Sequence, residues 1–476
     1  MLLRTIECCL RRWMMASAFV FAAVHAESNS VIADTVLPSS PDDQAGDQTG
    51  DQTGDQAGQV PDGPFVPRPF WRKKGDSPTF APDWYANRGE ATVEVHFDSS
   101  KTAAQNGELL KRTLSNLSAG DHVRIHAGTY VVDSLLVIQA QGTRSFPVTI
   151  EGAPGEEVIV TRSDARQNAL NVDRSEYLIV ERLTLRGGST GLKLQSANHF
   201  MLHDVEIVGT ANNAIAANSA STSYLYFIDN EIHDTASHGE GFYLGSHDGQ
   251  FVTHHTFVIG NYIHDLNHSD VDQGDGVEIK DGSYAVIIKQ NFIRGTKYPG
   301  IIVYRTGREP ADRNVIEENV ILDSGDNAIQ ATADAIIRNN LIITGVIGIM
   351  SKPSGTAPRD LTIVNNTIIA KGDAIKTIDW DTPESTGIRV ANNAIFTQSG
   401  RAVANGFGNA RSTANVVVSE LSKTFKNVQL DGSGLDANPL ETSNLVGVAN
   451  AADLPGHDLS GRVRTGSSDV GALGIR

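Results

Sequence analysis

A four-residue phrase, polar-Asn-x-Ile, recurs seven times from residue 229 onward in this 476-residue chain and constrains its fold more than any other feature. It reads Asp229-Asn230-Glu231-Ile232, Gly260-Asn261-Tyr262-Ile263, Gln290-Asn291-Phe292-Ile293, Glu318-Asn319-Val320-Ile321, Asn339-Asn340-Leu341-Ile342, Asn365-Asn366-Thr367-Ile368 and Asn392-Asn393-Ala394-Ile395. The spacings between the shared Asn are 31, 30, 28, 21, 26 and 27 residues. A period of this size, with turn residues at fixed offsets, marks a solenoid or an array. Between the phrases lie short β-branched runs such as Ala285-Val286-Ile287-Ile288 and Leu361-Thr362-Ile363-Val364, bounded by Gly, Asn and Asp. The units are therefore strands, and helical repeats are excluded.

A second phrase falls between the first: Gly191-Leu-Lys-Leu, Gly241-Phe-Tyr-Leu, Gly276-Val-Glu-Ile, Gly300-Ile-Ile-Val and Asp373-Ala-Ile-Lys. Each unit thus holds at least two strands, and a chain returning to the same register stacks each strand parallel on its predecessor. The expected fold is all-β, a single-stranded parallel β-helix over residues 121–415. The recurring Asn then stack at one turn, where their amides satisfy backbone groups of adjacent coils; that structural duty leaves them no catalytic one. Residues 108–117, Glu-Leu-Leu-Lys-Arg-Thr-Leu-Ser-Asn-Leu, are amphipathic and predict a capping helix over the open N-terminal end, within a cap region of residues 64–120. Residues 416–476 are expected to form a closing coil and cap.

Composition agrees with one long solenoid. Gly is 45 residues and aromatics are 6%, while 40% hydrophobic and 20% charged residues are too apolar for a disordered chain. A net charge of −17 excludes a general nucleic-acid binder. At the start, Arg4, Arg11 and Arg12 precede an apolar run over residues 13–23, followed by Val24-His25-Ala26, which reads as a secretory signal over residues 1–26. The run is too short to span a bilayer. Its removal takes both cysteines, Cys8 and Cys9, and leaves a cysteine-free body of 36 basic and 55 acidic residues. The expected location is secreted or periplasmic. Four Asp-Gln-(Ala/Thr)-Gly units starting at Asp43, Asp47, Asp51 and Asp55, which offer no large apolar residue to bury, mark residues 27–63 as a low-complexity linker.

Residues 120–130, Gly-Asp-His-Val-Arg-Ile-His-Ala-Gly-Thr-Tyr, and residues 147–155, Pro-Val-Thr-Ile-Glu-Gly-Ala-Pro-Gly, resemble the first two coils of secreted right-handed parallel β-helix proteins. Asp458-Leu-Ser-Gly-Arg462 and Asp469-Val-Gly-Ala472 are similar to the closing phrase of many such chains. The resemblance implies a right-handed coil over residues 90–476, about a dozen turns at roughly 4.8 Å each.

Function has to be read from the outer face. In Gly276-Val277-Glu278-Ile279-Lys280 the apolar Val277 and Ile279 point inward, which puts Glu278 and Lys280 together on the exposed face. Arg305 follows Lys280 by 25 residues, one repeat, and is expected beside it. Residues 280–313 hold seven basic and three acidic residues, a local +4 that predicts a landing strip for a polyanion. Residues 199–268 hold nine of the fourteen histidines, with Glu240, Asp270, Asp272 and Asp275 among or beside them.

Residues 278–293 and 303–307 resemble the central coils of chondroitinase-B-like and alginate lyases. That resemblance implies β-elimination on a uronate-containing glycan, with Lys280 as base, Arg305 as acid or oxyanion partner and Glu278 as calcium ligand. Gly276 stands where the family strand carries a first acidic residue, so Asp275 and Glu240 are the candidates to complete a calcium shell. His238, Tyr243, Tyr304, Arg308 and Lys297 are the candidate substrate-binding residues. The expected partner is an acidic polysaccharide, bound by a monomer. A uronate epimerase would use the same proton abstraction; a noncatalytic glycan binder would use the same basic surface.

Overall fold

The computed structural model describes residues 65, 67, 70, 73–78, 80–464 and 468–475. The expected signal (1–26) and linker (27–63) lie outside the described residues. Among the described residues, three parallel sheets of 13, 12 and 11 strands account for nearly all of the β structure, with one antiparallel pair near the C-terminus. Each complete coil contributes one strand to each sheet, and the terminal coils are incomplete. Thr253–Ile259, Tyr262–Leu266 and Val277–Ile279 make one coil, and they pair in parallel with Tyr284–Lys289, Phe292–Thr296 and Ile301–Val303 of the next.

The local chemistry of the recurring phrase explains its spacing. Its first, polar residue turns the corner between the first and second sheets in the left-handed region: Asp229 at φ 58°, Gln290 at 55°, Glu318 at 57° and Asn339 at 55°. Asn and Asp tolerate this conformation better than most residues. The Asn that follows is buried and binds its successor. Asn261 donates from its backbone N–H at 2.9 Å and from Nδ2 at 2.9 Å to Asn291 Oδ1, and Nδ2 also donates to the Phe227 carbonyl at 3.0 Å. The same pattern runs from Asn230 to Asn393 and ends on Asn415, which the phrase did not mark. The Ile two residues on points inward; Ile263, Ile293, Ile321 and Ile342 are fully buried in one continuous core.

Asn291→Ala should test this ladder. It removes one acceptor that takes two bonds from Asn261 and one amide donor that serves the Val258 carbonyl and Asn319 Oδ1, all buried. At about 1–3 kcal/mol for each buried group left unsatisfied, a loss of roughly 3 kcal/mol or more is expected in denaturant unfolding.

The helix forms over Ala103–Leu114, beginning earlier than the amphipathic stretch suggested. Its start is set by a capping box: Thr102 Oγ1 accepts from the Gln105 N–H at 3.2 Å, and Gln105 Oε1 accepts from the Thr102 N–H at 2.9 Å. Leu110 and Leu114 are buried in the interior cluster of the first coils. Residues 416–476 divide in two. Val416–Val417 is the last strand of the second sheet, and beyond it Phe425, Val428, Leu445, Leu459 and Val470 pack on the outer face of that sheet against Leu322, Ile343 and Ile369. Before the first coil, Trp84 and Tyr85 pack on the outer face of the first sheet against Met201, Tyr226 and Phe257.

Candidate functional site

The third sheet carries the candidate chemistry. Val277 and Ile279 are fully buried toward the core, as alternation requires, and Glu278 and Lys280 share the opposite face. That face is not exposed here, contrary to the expectation from alternation: Glu278 is 3% and Lys280 7% accessible. The cause is aromatic cover. Tyr243 pairs in register with Glu278 from the preceding coil, and the Lys280 ammonium lies 4.5 Å from the centroid of the Tyr243 ring and 5.5 Å from that of Tyr304. Lys280 Nζ donates to Glu278 Oε1, and the Tyr304 hydroxyl lies 3.5 Å from the same oxygen.

Glu240 and Asp275 join this pair. Each precedes the glycine that opens its strand, and the Gly241 N–H donates to the Asp275 carbonyl at 2.9 Å, so the two sit at the same corner of adjacent coils. One carboxylate oxygen from each of Glu240, Asp275 and Glu278 lies within 4.8 Å of the other two, and all three residues are buried. Position 276 cannot take an acidic side chain, because its Cβ would run into the Gly300 carbonyl and Ile293 Cγ2. Asp275 supplies the second carboxylate from one residue earlier, and Glu240 the third from the coil before.

Burial shapes the electrostatics. Desolvation pushes Glu240 up to about 7, with the Glu278 charge adding to the shift, and holds Asp275 well above the ordinary carboxylate range, with Glu278 and Glu240 acting in the same direction. Both Glu240 carboxylate oxygens and Glu278 Oε2 are buried without a hydrogen bond from another residue. Three clustered carboxylates face a single ammonium. An all-oxygen set with free lone pairs and excess negative charge fits a hard divalent cation of the calcium class, which takes six to eight oxygens and would draw the remainder from water or substrate. Desolvation also raises both phenols, Tyr304 to about 12 and Tyr243 further, so each is a proton donor at neutral pH.

The remaining candidates are arranged differently from the sequence reading. Ile279 pairs with Val303, which places Tyr304 and not Arg305 opposite Lys280. Arg305 turns instead to Asp281, donating from Nε at 2.9 Å and from a terminal nitrogen at 3.2 Å. Lys297 donates to the Val271 carbonyl and ties down the loop that leads into Asp275. Arg308 lies over the Tyr284 ring at 4.6 Å, and Tyr284 stacks on His254 at 4.8 Å. His238 is exposed, two residues before Glu240. The local +4 does not form a strip. Lys289 lies on the first sheet and Arg294 on the second, the others lie between strands, and several are engaged: Lys280 with Glu278, Lys289 with Glu317 and Glu318, Arg305 with Asp281 and Arg313 with Asp360.

Residues 252–419 match the family model described as a right handed beta helix region, and they contain Asp275, Glu278, Lys280 and both later strands of the site. The fold is a right-handed parallel β-helix. Solved β-helix structures similar to this chain include an alginate lyase from Paenibacillus sp. str. FPU-7, at 17% identity over 69% of this chain and 100% of that one, with a TM-score of 0.38. Pectate lyase Pel9A is 12% identical over 81% of this chain and 96% of its own, with a TM-score of 0.42. The A-module of the Azotobacter vinelandii mannuronan C-5 epimerase AlgE4 is 16% identical over 69% and 93%, with a TM-score of 0.46. None of the curated proteins compared matches the chain in sequence. Among the described residues, no helix of the β-helix protein is long and apolar enough to cross a membrane.

Proposed function

We propose that this β-helix protein is a polysaccharide lyase that cleaves a uronate-containing glycan by β-elimination, acting outside the cytoplasm, with calcium held by Glu240, Asp275 and Glu278. The observation that carries the reading is the buried carboxylate trio with one amine and two phenols set against it. Elimination at a uronate removes the weakly acidic proton on C5 and expels the oxygen on C4. A bound divalent cation supplies neutralisation of the substrate carboxylate and of the charge that develops on it in the transition state. Glu278 would be shared between that role and Lys280; Lys280, set between two ring faces, would act as base in its neutral form, having first given its own proton to solvent, and would then take the C5 proton. Tyr304 or Tyr243, each held protonated by burial, donates to the departing C4 oxygen.

Hydrolysis fits the geometry less well. Glycosidases set an acid and a nucleophile or base on either side of an accessible scissile bond, whereas these three carboxylates are clustered at one corner, buried, and share it with an amine. Such crowding suits a cation better than an acid and base on opposite sides of a sugar.

The test is direct. The secreted form incubated with alginate, pectate and chondroitin sulfate in the presence of calcium should raise ultraviolet absorbance from the unsaturated uronate on one of them. Solvent deuterium entering C5 without that absorbance would assign epimerisation by the same proton abstraction. Polymer binding with neither signal would overturn the enzymatic reading in favour of a glycan binder.

A further inference from the structure

A second cluster of metal-ligating side chains lies on the outer face of the second sheet, away from the carboxylate trio. Strand Glu231–His233 pairs in parallel with Tyr262–Leu266, and the register sets His233 opposite His264. The two imidazoles stack one coil apart, 4.7 Å between centroids and 8° from parallel. Each ring is held in the same way at both nitrogens. His233 Nδ1 lies 2.7 Å from Asp234 Oδ2 and His264 Nδ1 2.8 Å from Asp265 Oδ2, while Nε2 lies 3.3 Å from Glu206 Oε1 in the first and 3.2 Å from Glu231 Oε1 in the second.

We propose that Glu231, His233 and His264, with Glu206 beside them, form a binding site for a borderline divalent transition-metal ion of the zinc type. Three features point to a metal. A carboxylate on Nδ1 orients each ring, the arrangement by which carboxylates hold metal-binding histidines; it occurs here twice, in register, and turns both Nε2 atoms toward glutamate oxygens, where an ion would take the place of the Nε2 proton. One donor atom from each of Glu231, His233 and His264 lies within 4.8 Å of the others. Each Nε2 also lies 3.2–3.3 Å from a glutamate oxygen of the preceding coil, so an imidazole and a carboxylate donor stand side by side in each case, near enough to share an ion with bonds of about 2.0–2.1 Å. Mixed imidazole and carboxylate donors suit zinc-type ions, whereas the all-oxygen trio on the third sheet suits calcium.

The site is reachable. His233 and His264 keep 15% and 12% of their side-chain surface and Glu206 and Glu231 keep 29% and 48%, and a groove lined by Lys74, Glu206, Glu231 and Tyr262 opens beside them. An ion here would join adjacent coils across the sheet, a cross-link in a body whose only two cysteines lie in the expected signal. The inference is independent of whether the protein cleaves a glycan.

The experiment uses the tag-free, chelator-stripped protein and Co²⁺ alone as probe. One equivalent of Co²⁺ should bind, give the visible ligand-field bands of four-coordinate cobalt, and be displaced by Zn²⁺. His233→Ala and His264→Ala should remove the bands, with circular dichroism confirming the fold. Asp265→Asn keeps every ligand and loses only the orienting carboxylate, so affinity should fall by roughly 10–100-fold. Glu278→Gln should leave the bands unchanged. Absence of bands and of binding, bands that persist at the same affinity in both histidine variants, or bands lost in Glu278→Gln would each overturn the assignment.

Discussion

Lys280→Met is expected to abolish elimination, lowering turnover by about 10²–10⁴-fold, the range usual for loss of a positioned general base. The substitution keeps much of the volume between the Tyr243 and Tyr304 rings, so the phenols stay in place and only the amine is lost. It also has a consequence of opposite sign. Lys280 donates to Glu278 Oε1, an oxygen that a cation on the trio would need. Without that competitor, calcium should bind the variant at least as tightly as the parent, a result read by calorimetry. Removing one partner of a buried ion pair leaves the other uncompensated, so the calcium-free variant should be destabilised and calcium should restore it. Arg305→Ala makes the contrast: its guanidinium is committed to Asp281, and it should change KM a few-fold and kcat little. Full activity in Lys280→Met, or a loss in Arg305→Ala as large as in Lys280→Met, would remove the amine from the mechanism.

The repeat was legible because one residue did one job in every coil. The left-handed corner, the amide ladder and the inward Ile each need a particular residue type at a fixed offset, and those three demands together produce the phrase. The site was harder to read, since it depends on register to a single residue. A repeat length of 21 to 31 residues does not say whether Lys280 faces Tyr304 or Arg305; the Ile279–Val303 pairing does. Burial at Glu278 and Lys280 is likewise not set by sequence alternation alone. Alternation tells which face a side chain takes, but whether that face is open depends on what the neighbouring coils place there, and here they place two tyrosine rings. The histidine cluster left a signal that went unused: Ile232-His233-Asp234 and Ile263-His264-Asp265 are the same phrase one coil apart.

Raising the pH from 5 to 8 without divalent ions should destabilise the protein, and calcium should reverse the trend. Glu240 titrates near 7 in the folded chain against 4.5 for an ordinary glutamate, because burial and the Glu278 charge disfavour its ionised form. The unfolded chain therefore releases this proton first. A carboxyl raised in this way contributes stability that is fully present below about 4.5 and is lost as the pH passes through about 7. Two to three pH units at 1.36 kcal/mol each amount to about 3 kcal/mol, and Asp275 shifts in the same direction. A cation competes with those protons for the same oxygens, so its affinity should rise over the same interval. The calcium-induced shift in unfolding midpoint should then be small at pH 5 and large at pH 8. Glu240→Gln should flatten the calcium-free profile, since an amide carries no charge to bury, and should weaken calcium binding by removing one anionic ligand. A calcium-free pH dependence between 5 and 8 that is the same in Glu240→Gln as in the parent, or a calcium shift equal at both pH values, would mean that the three carboxylates hold neither the protons nor the ion assigned to them.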